Sequence, residues 1–188
     1  MTADRAPGGS MDRREAPGAA AAAPVVHRGM TLHVPETDSE WHGYFRAAGE
    51  GRLVVRRCLE CGRLRYPPGA GCPWCAAAGW AWAPVSGRGT IYSYAIVVQA
   101  IQPGFRDWAP YPLVVVELDE QRGVPTADEG LRLVTNLVTA DLRPEAEARV
   151  AIGARVEVCF QPLGAGLALP QFRLSGEPPA GPLWRFPG

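Results

Sequence analysis

Residues 58–75 read CLECGRLRYPPGAGCPWC and hold four of the chain's five cysteines, in the spacing C-x2-C-x10-C-x2-C. Each C-x-x-C places two thiolates on one tight turn, which is one wall of a tetrahedral S4 site. Two such turns joined by a short hairpin complete the site. Gly62, directly after Cys61, suits the left-handed backbone of such a turn. Pro73 stiffens the second turn. A redox pair would want a βαβ context, and none surrounds either C-x-x-C. Disulfides fit poorly with a chain whose N-terminal segment lacks the apolar core of a secretion signal. The expectation is a structural metal held by Cys58, Cys61, Cys72 and Cys75, with zinc as the default and iron as the competitor in the same S4 geometry. Four protein thiolates leave no open coordination position for catalysis. A ribbon this short depends on such a clamp to fold.

Working outward, RLVVRRC enters the first cysteine pair as a strand and RLRYPP leaves it as the return strand. GWAWAPV follows the second pair and puts Trp80 and Trp82 on one face. Upstream, PETDSEWHGYFRAAGEG predicts a short helix. Thr37 or Asp38 caps it, Glu40 lies in its first turn, and Trp41, Tyr44, Phe45 and Ala48 form one apolar stripe. Gly49 and Gly51 end it. Residues 1 to about 30 are rich in Ala, Pro, Gly and Arg and show no periodicity, so they are expected to be a disordered tail.

Downstream of Gly87 the pattern is strand and loop. GRGTIYSYAIVVQA, YPLVVVELD, LRLVTNLV and ARVEVCFQP are four strands, with ALPQFRLS as a fifth. Turn-rich stretches separate them, and Pro144–Ala148 is expected to hold a helical turn. Five strands with an irregular link between the third and fourth fit an OB-fold barrel. A sandwich fragment or an SH3-like barrel fits the pattern almost as well. The fold class expected is mostly β: an N-terminal helix, a zinc ribbon, then a five-stranded barrel.

The remaining composition excludes more than it assigns. The chain has 188 residues, is 47% hydrophobic and carries a formal net charge of zero, so it can bury a real core and has no general pull toward nucleic acid or anionic membrane. No apolar run approaches the ~20 residues of a membrane span. There is no lysine, so no Schiff-base chemistry, and beyond His42 there is no histidine either. The usual general bases are therefore missing from everything after the helix. Cys159 lies on an alternating strand and reads as a small buried hydrophobe rather than a nucleophile. A cytoplasmic location is expected from the reduced cysteine set.

The order of these motifs carries a resemblance. RRCLECGRLRYPP, CPWC, SGRGTIYSY, IGARVEVCF and LPQFR, after a helix with an aromatic pair, make the chain similar to the family catalogued as domain of unknown function 35, over roughly residues 38–175. The resemblance implies a rubredoxin-like zinc ribbon followed by an OB-fold. The implied divisions are a tail at 1–30, helix and ribbon at 37–86, OB-fold at 87–176 and a C-terminal tail at 177–188. It also implies a role. Members of that family are small subunits paired with thiolase-fold enzymes that act on CoA esters: thiolases, steroid side-chain retro-aldolases of the lipid-transfer-protein type, hydroxymethylglutaryl-CoA synthase complexes and C-acyltransferases. The partner carries the catalytic residues, and the small subunit helps form the acyl-CoA channel. A heterotetramer of two plus two is the expected assembly.

Within that frame, the loop QAIQPGFRDWAPYP between the first two barrel strands is the candidate contact with partner or CoA ester, through Phe105, Arg106, Trp108 and Tyr111. Trp108 and Tyr111 serve equally well as a cap on the barrel's own core. Arg46, Arg52, Arg56, Arg57, Arg63 and Arg65 are placed either to face CoA phosphates or to form a solvated surface. Trp184 and Phe186 in GPLWRFPG dock on a partner or on the barrel. The alternative function is a single-stranded nucleic-acid-binding module. Charge neutrality and the acidic stretches ELDEQ and TADEG count against it. An iron electron carrier is the third reading, and it leaves the barrel without a purpose.

Overall fold

Period-two alternation does produce the barrel strands, but the first described segment, residues 25–32, departs from expectation. The computed structural model describes residues 25–32 and 41–186. Its strands are β1 (Val25–His27), β2 (Met30–Leu32), β3 (Leu53–Cys58), β4 (Leu64–Arg65), β5 (Trp80–Val85), β6 (Arg88–Val97), β7 (Tyr111–Arg122), β8 (Gly130–Asn136), β9 (Arg155–Gly164) and β10 (Leu167–Leu174). One α-helix is found among the described residues, α1 (His42–Gly49), with 3-10 turns at Pro103–Trp108 and Glu147–Arg149.

Strands β6 to β10 form one antiparallel sheet in the order β10-β9-β6-β7-β8. A parallel bridge between Leu137 and Phe172 nearly closes it, with the Val138 N–H donating to the Phe172 carbonyl at 2.8 Å. The result is a five-stranded barrel of OB type. Along β7, Pro112, Val114, Val116 and Leu118 point inward while Leu113, Val115 and Glu117 face out. Ile91, Leu131, Leu133, Val156 and Phe172 complete the same buried core. Each such side chain contributes about 1.5–3 kcal/mol on burial. A bulge between Ile91 and Ser93 breaks the period in β6 and leaves Tyr92 exposed, with the Arg132 guanidinium 3.6 Å over its ring.

The ribbon is a second, three-stranded sheet, β4-β3-β5. It shares one core with the barrel, because Leu53, Val55, Leu64 and Ala83 pack in the same cluster as Val116 and Phe172. Helix α1 buries Tyr44, Ala47 and Ala48, while Trp41 and Phe45 are half-buried at the edge. Its closest approach is at Gly49, where an added Cβ would sit 1.8 Å from the Gly166 carbonyl oxygen in the turn joining β9 and β10. The expected caps, Thr37 and Asp38, lie outside the described residues. Trp41 occupies the N-cap position without a capping side chain.

The expected disordered tail at 1–30 does not hold for its last residues; residues 1–24 lie outside the description. Val25–His27 pair with Met30–Leu32 across an Arg28-Gly29 turn in which both residues have positive φ, 52° and 72°. Strands of three residues carry no readable period. This hairpin is held by tertiary contact with the 103–108 turn, where Gly104 leaves room for the Arg28 carbonyl. At the other end, Trp184 pairs with Ile152 through two backbone hydrogen bonds, and Phe186 packs on Tyr94 with ring centroids 4.9 Å apart. The C-terminal aromatics therefore dock on the barrel. The helical turn expected at Pro144–Ala148 forms as a 3-10 turn shifted to Glu147–Arg149.

Candidate metal centre and partner-facing surface

The two C-x-x-C turns are built alike. In the first, the Cys58 N–H donates to Arg63 O at 2.9 Å and the Gly62 N–H donates back to Cys58 O at 3.1 Å. In the second, the Cys72 N–H donates to Ala77 O at 2.8 Å and the Ala76 N–H donates back to Cys72 O at 2.9 Å. The residue that follows each second cysteine is left-handed, Gly62 at φ 72° and Ala76 at φ 59°. Glycine was read at the first turn, but the second imposes the same backbone on an alanine.

These turns bring the four Sγ atoms within 4.8 Å of one another. Cys58 and Cys75 are 3.6 Å apart, and Cys61 and Cys72 are 3.7 Å apart. Four ligands at the ordinary Zn–S distance define a tetrahedron with edges of about 3.8 Å, so the donor set fits a zinc-sized S4 site. Burial opposes ionisation of Cys72, but the Trp74 and Cys75 amides and the neighbouring thiols outweigh it and lower the pKa to about 6. Amides of Cys61 and Glu60 lower Cys58 likewise, against its own burial. The Ala77 amide favours the Cys75 thiolate, but burial and contact with the other three sulfurs outweigh it and push the thiol up to about 12. A divalent cation bound here would stabilise all four thiolates together. Cys58, Cys61, Cys72 and Cys75 would hold it, and its contribution is a structural clamp. Cys159 stands apart, with burial pushing its thiol up to about 11, the behaviour of an unreactive half-buried residue.

The candidate contact loop becomes an aromatic knot. Phe105 meets Trp108 at 5.6 Å and Tyr111 at 5.7 Å between ring centroids. Trp108 is only 3% exposed and lies 3.4 Å beneath the Arg28 guanidinium. Phe105 and Tyr111 are half-buried and Arg106 is exposed. On the same loop Val98 and Ile101 stand out at 76% and 93% exposure. Hairpin β1-β2 was needed to see this, because Arg28 comes from the segment read as a tail.

The arginine cluster splits. Arg46 and Arg52 pair with Glu50 at the surface and Arg57 is exposed, whereas Arg56 and Arg65 are buried. A cleft of about 240 Å³ was not legible in the sequence. It runs between α1 and the barrel and is lined by Trp41, Phe45, Tyr66, Leu113, Val134 and Pro170, drawn from five separate stretches of chain.

A four-cysteine ribbon fused through a shared core to a nearly closed OB barrel defines the class of protein. Residues 45–81 match the family described as the ChsH2 rubredoxin-like zinc ribbon domain, and residues 82–161 match the ChsH2 C-terminal OB-fold domain. A DUF35 domain-containing scaffold protein of Methanothermobacter thermautotrophicus is 33% identical over 110 residues, 58% of this chain and 71% of that protein. This chain belongs to the DUF35 family. A solved structure described as an Ltp2-ChsH2(DUF35) aldolase contains a chain similar to it at 34% identity, with a TM-score of 0.59, covering 76% of this chain and 99% of that one. A probable enoyl-CoA hydratase alpha subunit of Thermomonospora curvata is 37% identical over 130 residues, 69% of this chain. That match spans only 36% of the relative's length. Among the described residues, no helix is long and apolar enough to cross a membrane.

Proposed function

We propose that this chain is the accessory subunit of a thiolase-fold enzyme acting on acyl-CoA esters, and that it docks on that enzyme and helps form its acyl-CoA channel. The observation that carries the reading is the likeness to the ChsH2 chain of an aldolase over 99% of that chain's length. The chain's own chemistry agrees. A metal site of four thiolates has no position for substrate, and the barrel carries neither histidine nor lysine. Acid–base catalysis then falls to the partner.

The partner-facing edge in this reading is the 98–111 loop. Trp108 anchors it from below, Phe105 and Tyr111 form its rim, and Arg106 with Val98 and Ile101 meets the partner. Aromatic side chains beside an arginine are enriched at interfaces, and Phe105 and Tyr111 beside Arg106 fit that pattern. The metal is zinc, the assembly two plus two, and the chain works in the cytoplasm.

Co-expression with the thiolase-like protein encoded nearest this gene, followed by gel filtration and metal analysis of one peak, tests the proposal. A co-eluting complex with about one zinc per small subunit is expected. A lone monomer that ignores the partner, or turnover of an acyl-CoA ester by the isolated chain, would overturn it.

A further inference from the structure

Arg65 is the feature of the ribbon that neither packing nor the proposed docking explains. It is 2% exposed. One of its donors, Nη1, is bonded to the Gly71 carbonyl oxygen. Its Nε and Nη2 are closed off from solvent and have no hydrogen-bond partner, and among the described residues no carboxylate pairs with it. Its neighbour across the strand pair, Arg56, is differently placed. Arg56 donates to Gly69 O at 2.8 Å and lies 3.7 Å over the Trp80 ring, which offers its charge an aromatic face. Arg65 has no such cover. A buried guanidinium without a counter-charge is expensive, so a negative group nearby would offset a cost that nothing else around Arg65 offsets.

The position of Arg65 says what that is. Its strand, β4, follows the first cysteine turn directly and pairs with β3, whose last residue is Cys58. The carbonyl it grips belongs to Gly71, one residue before Cys72. Arg65 therefore bridges from the strand leaving the first turn to the chain entering the second. A divalent metal held by four thiolates would keep a net negative charge, and two of those thiolates, Cys58 and Cys72, are buried on the side of the site next to β3 and the second turn. Residues 52–79 supply five arginines and one glutamate, so the ribbon's own charge runs opposite to that of the centre it wraps.

We infer that Arg65 is the counter-ion and positioning residue of the tetrathiolate centre. Its guanidinium offsets the charge of the metal–thiolate cluster and holds the Cys72 turn in place through the Gly71 carbonyl. The inference rests on the metal reading of the four cysteines and goes beyond it, because it assigns a residue outside the ligand set.

The test uses the full chain loaded with Zn2+, in R65M, R65K and the exposed control R57M. Zinc affinity is read by competition with a chelator, and the pH of zinc release is read by titration. R65M is expected to weaken zinc binding by about 10–100-fold, the usual effect of losing a partner that supports a metal's ligands. Release should also move to higher pH, because thiolates take up protons more readily when the nearby cation is gone. R65K keeps the charge and should stay within a few-fold of wild type, and R57M should match wild type. Equal losses in R65K and R65M would reduce the residue to packing and overturn the inference. So would wild-type zinc retention in R65M. If R65M does not fold, R65Q keeps a donor for Gly71 and lacks the charge, and tight zinc binding by R65Q overturns the inference in the same way. A wild-type chain that binds no metal removes the centre itself, which is a different failure from an R65M chain that binds it unchanged.

Discussion

The side-chain amide of Gln121 closes a two-way hydrogen bond with the backbone of Leu64: its Oε1 accepts from the N–H at 2.7 Å and its Nε2 donates to the carbonyl at 2.8 Å. Gln121 lies on barrel strand β7 and Leu64 on the edge strand of the ribbon. One barrel side chain thus does for β4 what a neighbouring strand would do, and both groups are buried. Ribbon and barrel are joined by this pair as well as by their common core.

Gln121→Leu should therefore leave a buried N–H and a buried C=O unpaired. The expected loss is about 1–3 kcal/mol for each orphaned group. Chemical denaturation of the zinc-loaded chain measures it, and hydrogen exchange at Leu64 should quicken more than exchange at the barrel centre. Unchanged protection of Leu64 would show that the pair is dispensable.

The two cysteine turns offer opposite substitutions at one backbone conformation. Gly62→Ala forces a side chain into the left-handed region and should destabilise by about 1–2 kcal/mol. Ala76→Gly relieves the same strain, offset by the added freedom of the unfolded chain, and should be neutral to stabilising by up to about 1 kcal/mol. Thermal melts of the two variants should shift to different extents, with Gly62→Ala the lower. Matching melts would mean that the turns are not equivalent.

Cys58→Ser removes a ligand from the buried side of the site and should unfold the ribbon, with loss of zinc and of any assembly that depends on it. Acidification should do the same to the wild type, because protonated thiols release the metal, so zinc retention falls as pH falls. Metal analysis after dialysis across a pH series checks both. A folded, assembling Cys58→Ser chain would show that the metal is not needed.

Gly49→Ala tests the seat of the helix. Its Cβ would overlap the Gly166 carbonyl, backbone against backbone, so either the helix end or the β9–β10 turn must shift. A cost of about 1–3 kcal/mol is expected. An alanine there with wild-type stability would mean that the contact is loose.

Asp119 sits in a network with Arg155, Arg122 and Thr90 on the barrel surface. The Arg155 guanidinium beside it holds its carboxyl below the usual carboxylate range, against the opposing effect of burial. A folded-state pKa lowered in this way gives stability that is present above the unfolded value and is lost as pH falls through the folded one. Asp119→Asn should be less stable than wild type at neutral pH, and the gap should close below the ordinary carboxylate range. Because the pair is partly exposed, added salt should narrow the gap as well. A pH-independent difference would assign the effect to shape rather than charge.

Much of this protein is written locally in its chain. The two C-x-x-C pairs, the period-two strands of the barrel and the aromatic stripe of α1 each depend on residues within one turn or one strand. They can be read without knowing what lies opposite, and their order along the chain was enough to mark the family. Whether a given side chain ends inside or outside depends on partners distant in sequence. Arg57 and Arg65 look alike in the sequence, yet one is exposed and the other buried beside the second cysteine turn. Trp108 became a core residue because Arg28, some eighty positions earlier, folds back over it. Gln121 reads as one more polar residue at the end of a strand until Leu64 is brought against it. Local order determined most of the elements and the four cysteines that could hold a metal, though not the β1-β2 hairpin. Only the packing of distant segments decided which charges are buried, because burial is a property of the surface that a neighbour removes from water.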